Sequence, residues 1–166
     1  PLNSPDWASS VRDLAVRFGA QALIGGGTVL QPAQADALAA AGGKLVVTPN
    51  TRPSLIAHAV RRGLYVAAGF ATASEAFDAL DAGAQALKLF PATTYGLAHV
   101  KALRAVLPPV PLFAVGGITP DNLAEYLRAG CIGAGLGSDL YKPEQDVART
   151  AEQARAFVAA YRNAIQ

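Results

Sequence analysis

The sequence predicts an α/β fold built from repeated strand–helix units around a parallel sheet. Three observations carry this reading. Short apolar runs alternate with longer amphipathic stretches about every 20 to 25 residues. Those short runs are apolar throughout, as strands buried on both faces of a parallel sheet are. Glycine or proline marks nearly every junction between them. The 166 residues suit one domain, and 52% of them are apolar, enough for a sizeable core.

The elements follow in order. Pro1-Leu2-Asn3-Ser4-Pro5 is rich in turn formers. Ser4 is placed to cap a helix with Pro5 at its first position. Trp7, Val11, Leu14, Ala15 and Phe18 recur at helical spacing, and Gly19 ends the run. A strand is predicted over 22–25, with Gly25-Gly26-Gly27-Thr28 as the loop after it. Pro32 opens a helix that stops at Gly42-Gly43. Leu45-Val46-Val47 is a strand ending at Thr48-Pro49-Asn50. A helix over 53–62 closes at Gly63, and a strand over 64–67 closes at Gly69. The next helix, 74–82, takes Ser74 or Thr72 near its cap and ends at Gly83. The strand around Lys88 comes next, then a helix over 96–107. A strand over 112–115 ends at Gly116-Gly117. Thr119 and Pro120 open a helix over 121–129, closed by Gly130. The last strand covers 132–136 and meets Gly137-Ser138, and a final helix runs over 143–164.

Six strands are visible, and two architectures compete: the open doubly wound sheet and the closed (β/α)8 barrel. A whole barrel needs eight strands and at least about 200 residues. The sequence is short of that by roughly two units and opens in mid-unit. The simplest expectation is a (β/α)8 TIM barrel, a single domain over 1–166 that is incomplete at its N-terminal side.

Composition narrows the function. The formal net charge is +2, and no basic run exceeds Arg61-Arg62, which argues against a nucleic-acid partner. A single cysteine, Cys131, permits no internal disulfide and no cysteine-based metal site, and fits a reducing, cytoplasmic setting. No apolar run reaches the roughly 18 residues of a membrane span. No metal-ligand spacing is present. His58 and His99 read as surface or packing residues within helices, and Cys131 as a small core residue. Asp121, Glu125 and Asp139 read as helix-end or solvated charges.

In a barrel of this kind, chemistry gathers at the C-terminal ends of the strands. Lys88 stands out there. It sits within Ala86-Leu87-Lys88-Leu89-Phe90-Pro91-Ala92, an apolar strand with a lysine in its middle. An apolar setting disfavours the ammonium, and a neutral amine can form a Schiff base with a carbonyl. The plainer reading is a strand-edge lysine whose head reaches water. Gly116-Gly117 and Gly137-Ser138 end the last two strands. They read either as a phosphate cradle or as tight turns that need glycine for geometry. Thr28 could hold a substrate carboxylate or simply cap the next helix.

Five motifs in order carry a resemblance: Gly25-Gly26-Gly27-Thr28-Val29-Leu30, Val47-Thr48-Pro49-Asn50, Lys88-Leu89-Phe90-Pro91-Ala92, Ala114-Val115-Gly116-Gly117-Ile118 and Gly135-Leu136-Gly137-Ser138. Together they resemble the class I aldolases acting on 2-keto-3-deoxy-6-phospho sugar acids, over essentially the whole chain. Two stretches, 82–88 and 135–141, are most similar to members acting on the galactonate-derived acid; the gluconate-derived sister activity is the near alternative. The resemblance implies cleavage to pyruvate and D-glyceraldehyde 3-phosphate with no cofactor and no metal. It implies Lys88 as the Schiff-base lysine and Thr28 at the carboxylate end. Pro49 and Phe90 would wall the pyruvate pocket, and Gly116, Gly117, Gly137 and Ser138 would bind phosphate. It also implies a (β/α)8 barrel assembled as a homotrimer.

One departure stands out. The family places a proton-shuttling glutamate two positions before the equivalent of Pro1, and a substrate-binding arginine on the first strand. Both would lie upstream of Pro1. The expectation is that the first strand, the first helix and most of the second strand are missing from this chain. Two other readings compete with the aldolase: a different phosphate-binding barrel enzyme in which Lys88 only neutralises charge, and an inactive fragment that keeps the phosphate loops.

Overall fold

A computed structural model describes all 166 residues. Strands and helices alternate along the chain, as expected, and fall into two compact units, Pro1–Lys88 and Leu89–Gln166. The first unit contains α1 (Trp7–Phe18), β1 (Gly25–Gly27), α2 (Pro32–Ala40), β2 (Leu45–Val47), α3 (Pro53–Arg61), β3 (Tyr65–Phe70), α4 (Ala73–Asp81) and β4 (Ala86–Leu89) as far as Lys88. The second contains α5 (Ala92–Val106), β5 (Leu112–Val115), α6 (Leu123–Arg128), β6 (Gly133–Gly135) and α7 (Val147–Ala164).

In the first unit β1, β2 and β3 lie side by side and parallel. Gly26 stands opposite Val46, and Val46 opposite Val66. Gln85 brings the start of β4 to β3: its amide donates to the Val66 carbonyl at 3.1 Å, and its side-chain oxygen accepts from the Val66 amide at 2.8 Å. Val46, Val66 and Leu87 from the strands and Leu55 and Ile56 from α3 are fully buried. In the second unit β5 and β6 pair in parallel, with Phe113 opposite Gly133 and Val115 opposite Gly135. Leu112, Ala114 and Val100 form its core, with Phe157 of α7 also buried. The apolar residues of these strands are largely buried, in keeping with sequences that do not alternate. No helix is long and apolar enough to cross a membrane.

Several boundaries differ from expectation. The first strand is Gly25–Gly27, not 22–25, and the supposed glycine loop is the strand itself. A side chain at Gly25 would run into the Leu45 carbonyl, and one at Gly26 would stand 2.5 Å from Leu2 Cδ1. Close approach of neighbouring chains therefore outweighs the weak strand preference of glycine. For the same reason β3 continues through Gly69 to Phe70: a Cβ there would collide with the Pro49 backbone.

Helix starts also move. The first helix begins at Trp7, behind Asp6 in a left-handed conformation, so Ser4 and Pro5 belong to the preceding turn. Thr72, not Ser74, caps α4, with the Glu75 carboxylate returning bonds to the Ala71 and Thr72 amides. Thr119 holds a turn just before α6, exchanging side-chain bonds with Asn122. The last strand is shorter than predicted, and α7 starts at Val147 behind Asp146, whose carboxylate accepts from the Arg149 amide at 2.7 Å.

Candidate active site

In the first unit, three of the expected residues sit at or just beyond the C-terminal ends of strands. Lys88 is the third residue of β4, between Leu87 and Leu89, both fully buried. Side chains alternate along a strand, so Lys88 leaves the face that its two leucine neighbours use. It is half-buried, and this desolvation pushes its ammonium below the ordinary 10.5. It is therefore neither a solvated edge lysine nor a fully enclosed one. A larger share of its side chains is neutral at a given pH than for an exposed lysine.

Thr28 directly follows β1 with φ of 60°. A β-branched residue in the left-handed region is uncommon and costs about 1–3 kcal/mol. The capping role is taken by another residue: the Gln34 side-chain oxygen accepts from the Leu30 and Gln31 amides at 2.7 and 3.1 Å and holds the entry to α2. Pro49 follows β2 and is held by its neighbour Thr48. The buried Thr48 hydroxyl donates to the Asn50 carbonyl at 2.7 Å and accepts from the Gly69 amide at 3.0 Å.

In the second unit, Phe90 lies just beyond β4 and is 39% exposed. The structure brings it against Gly116: two ring carbons of Phe90 stand 3.3 Å from where a Gly116 Cβ would be. Gly116 and Gly117 have φ of 96° and 73°, which glycine adopts without a steric penalty. A side chain at Gly117 would also meet the Thr93 hydroxyl. The carbonyls of this loop are tied back. Thr93 donates to Gly116 O through its amide at 3.3 Å and its hydroxyl at 3.2 Å, and Asn122 Nδ2 donates to Gly117 O at 3.0 Å. Neither Thr93 nor Asn122 stands out in the sequence: Asn122 follows Gly117 by five positions and was open to notice as a polar residue just behind the loop, whereas Thr93 lies 23 positions before Gly116 and gives no local signal.

Gly137 and Ser138 follow β6 and are exposed. The amides of Leu140 and Tyr141 both donate to Gly137 O, at 2.9 and 3.0 Å, closing a turn. Nothing lies within 4 Å of a Cβ built on Gly137. A cavity of about 540 Å³ in this unit is lined by Phe113, Leu123, Ile132, Phe157 and Tyr161 among others, and contains none of the expected site residues.

Asp36, both histidines and the cysteine have packing roles. His58 Nε2 lies 3.0 Å and Arg62 Nε 2.8 Å from Asp36 Oδ1, joining α3 and its C-terminal residue to α2. Hydrogen bonding to His58, with help from Arg62, holds the Asp36 carboxyl below its usual range. His99 stacks on Tyr95 with ring centroids 4.9 Å apart. Cys131 is buried, and desolvation pushes its thiol up to about 11. No three His, Cys, Asp or Glu side chains cluster as a metal site would require.

Comparison with known proteins supplies the context. The sequence model of the KDPG and KHG aldolase family matches residues 4–154. A 2-dehydro-3-deoxy-6-phosphogalactonate aldolase of Escherichia coli K12 is 58% identical over 167 aligned residues, covering all of this chain and 82% of that protein. A solved structure described as native KDPGal superposes with a TM-score of 0.97 at 57% identity, over all of this chain and 81% of that one. A KDPG aldolase of Legionella pneumophila, solved with pyruvate captured at low pH as a covalent carbinolamine, gives 0.77 at 27% identity, over 97% of this chain and 77% of that one.

Proposed function

This chain belongs to the KDPG and KHG aldolase family, and on that premise we propose that it cleaves 2-dehydro-3-deoxy-6-phospho-D-galactonate to pyruvate and D-glyceraldehyde 3-phosphate through a Schiff base on Lys88. It is a class I aldolase, a carbon–carbon lyase. The observation that carries the assignment to Lys88 is its placement: a half-buried lysine in an apolar strand, with its ammonium destabilised by desolvation.

The steps follow from that amine. Neutral Nζ adds to the C2 keto carbon of the substrate, and the carbinolamine loses water to give an iminium. A base removes the C4 hydroxyl proton. The C3–C4 bond breaks, its electron pair passes into the iminium, and the aldehyde leaves. The resulting enamine takes a proton at C3, and water hydrolyses the imine to pyruvate and free Lys88. The carbinolamine captured in the Legionella relative supports the same first step here.

The other roles are assigned through the family motifs. Thr28 holds the carboxylate, and its left-handed backbone is a strain of the kind found at ligand sites. Pro49 and Phe90 wall the pyruvate. Gly116, Gly117, Gly137 and Ser138 hold the phosphate, where an anion can approach the backbone without a side chain between. The 58% identity to the E. coli enzyme supports a preference for the galactonate-derived acid over its gluconate epimer. The same membership supports a (β/α)8 barrel, to which these six strands would belong, a homotrimer and a cytoplasmic setting.

Borohydride reduction in the presence of pyruvate tests the proposal, because only an imine is converted to a permanent adduct. A reduced pyruvyl group mapped to Lys88 is expected. Folded protein that forms no adduct overturns the Schiff-base assignment. Initial rates on the two epimeric substrates test the preference, with the galactonate-derived acid expected to be the faster.

A further inference from the structure

We infer that Gln153 of α7, together with Gln145, is a positioning residue that sets the Gly137-Ser138 loop for phosphate; this rests on the phosphate role proposed above for that loop. The loop has little anchoring of its own, since Gly137 and Ser138 are exposed and the space about Gly137 is open. Its internal bonds are the two amides of Leu140 and Tyr141 on the Gly137 carbonyl. Two glutamines hold the other ends of those same peptide groups. Gln153 Nε2 donates to Asp139 O at 3.0 Å, and Gln145 Nε2 donates to Leu140 O at 3.0 Å. The glutamines are linked in turn: Gln145 Nε2 lies 2.7 Å from Gln153 Oε1 and 2.8 Å from Thr150 Oγ1.

Peptide planarity gives these contacts their leverage. The Asp139 carbonyl and the Leu140 amide share one rigid plane and point opposite ways, as do the Leu140 carbonyl and the Tyr141 amide. Each plane is thus held at both ends, by Gly137 on one side and a glutamine on the other. The turn uses neither the Ser138 nor the Asp139 amide, and fixing it fixes their direction too. Donors oriented before an anion arrives need no further ordering when it binds. Glutamine suits the task because one side chain donates and accepts at once, so Gln153 can hold the loop while receiving Gln145. The other glycine loop has a matching tether, the Asn122 carboxamide on the Gly117 carbonyl at 3.0 Å.

The test runs the reaction in the aldol direction, with pyruvate and either D-glyceraldehyde 3-phosphate or D-glyceraldehyde as acceptor. The variants are Gln153→Met and Gln145→Met, which keep length and helix preference but lose the carboxamide. Each should raise KM for the phosphorylated acceptor about five- to tenfold, the effect of losing one such bond. The kcat should change less than about twofold, and KM for D-glyceraldehyde should not move. The double variant should be little worse than either single one, because the two act as a unit. Borohydride trapping of pyruvate at the parental rate shows that each variant retains its fold. Unchanged KM for the phosphorylated acceptor in both variants, or an equal loss with both acceptors, overturns the inference alone. A parent protein indifferent to the phosphate overturns the phosphate reading of the loop, and this inference with it.

Discussion

The fully buried hydroxyl of Thr48 accepts the amide hydrogen of Gly69 at 3.0 Å. The same hydroxyl donates to the Asn50 carbonyl at 2.7 Å, so it joins the residue just after β2 to the C-terminal end of β3 and fixes Pro49 between. Thr48→Val keeps the shape but strands the Gly69 amide and the Asn50 carbonyl. It should lower stability by about 1–3 kcal/mol. Urea denaturation checks this, and Thr48→Ser should recover most of the loss. A valine variant as stable as the parent would show that the hydroxyl contributes nothing.

Lys88→Ala should abolish the pyruvate adduct and lower the cleavage rate by at least about 10³-fold, as removal of a nucleophile does. The parent's trapping rate should rise with pH as the ammonium gives up its proton. Desolvation disfavours that ammonium, so the midpoint should lie below 10.5. A rate profile with its midpoint at or above that value would contradict the depressed ionisation.

The two glycine loops should respond differently to a methyl group. Gly117→Ala forces alanine into a φ of 73° and against the Thr93 hydroxyl. It should cost about 1–2 kcal/mol of stability and raise KM for the phosphorylated substrate. Gly137→Ala enters open space without a left-handed backbone, so stability should stay within about 0.5 kcal/mol. Thermal melts of both variants separate these outcomes. Equal destabilisation by both would count against the geometry described.

Acid should weaken the α4 cap. The Glu75 carboxylate accepts from the Ala71 and Thr72 amides at 2.9 and 2.8 Å, and these bonds hold its ionisation below the usual 4.5. The folded-state value is depressed, so the stabilisation is full above 4.5 and is lost as pH falls through the folded value. Glu75→Ala should cost about 1 kcal/mol at neutral pH. It should also make stability less dependent on pH below that point. Denaturation midpoints measured from pH 7 down to 3 would show a smaller decline in the variant than in the parent.

Much of the architecture was legible from local signals. The apolar runs at Leu45, Leu112 and around Lys88 read directly as strands, and Gly63, Gly83 and Gly130 marked helix ends where the chain does turn with positive φ. Lys88 stood out as an amine inside an apolar run, and Gly116-Gly117 as a side-chain-free loop. Both signals survive because they depend on residue type and immediate neighbours.

Other features needed the folded chain. Gly25-Gly26-Gly27 looks like a loop until Leu45 and Leu38 are seen pressing on it. Gly69 looks like a strand end until the Pro49 backbone is placed beside it. No sequence pattern announces Thr93 under Gly116, or Gln153 reaching Asp139 fourteen positions earlier. By itself the sequence determined the order and type of the elements, since these follow from periodicity and backbone preference over a few residues. Only the tertiary structure decided where backbones approach too closely for a Cβ and which distant side chains hold the glycine loops. Those depend on atoms remote in the chain, whose meeting no local pattern encodes.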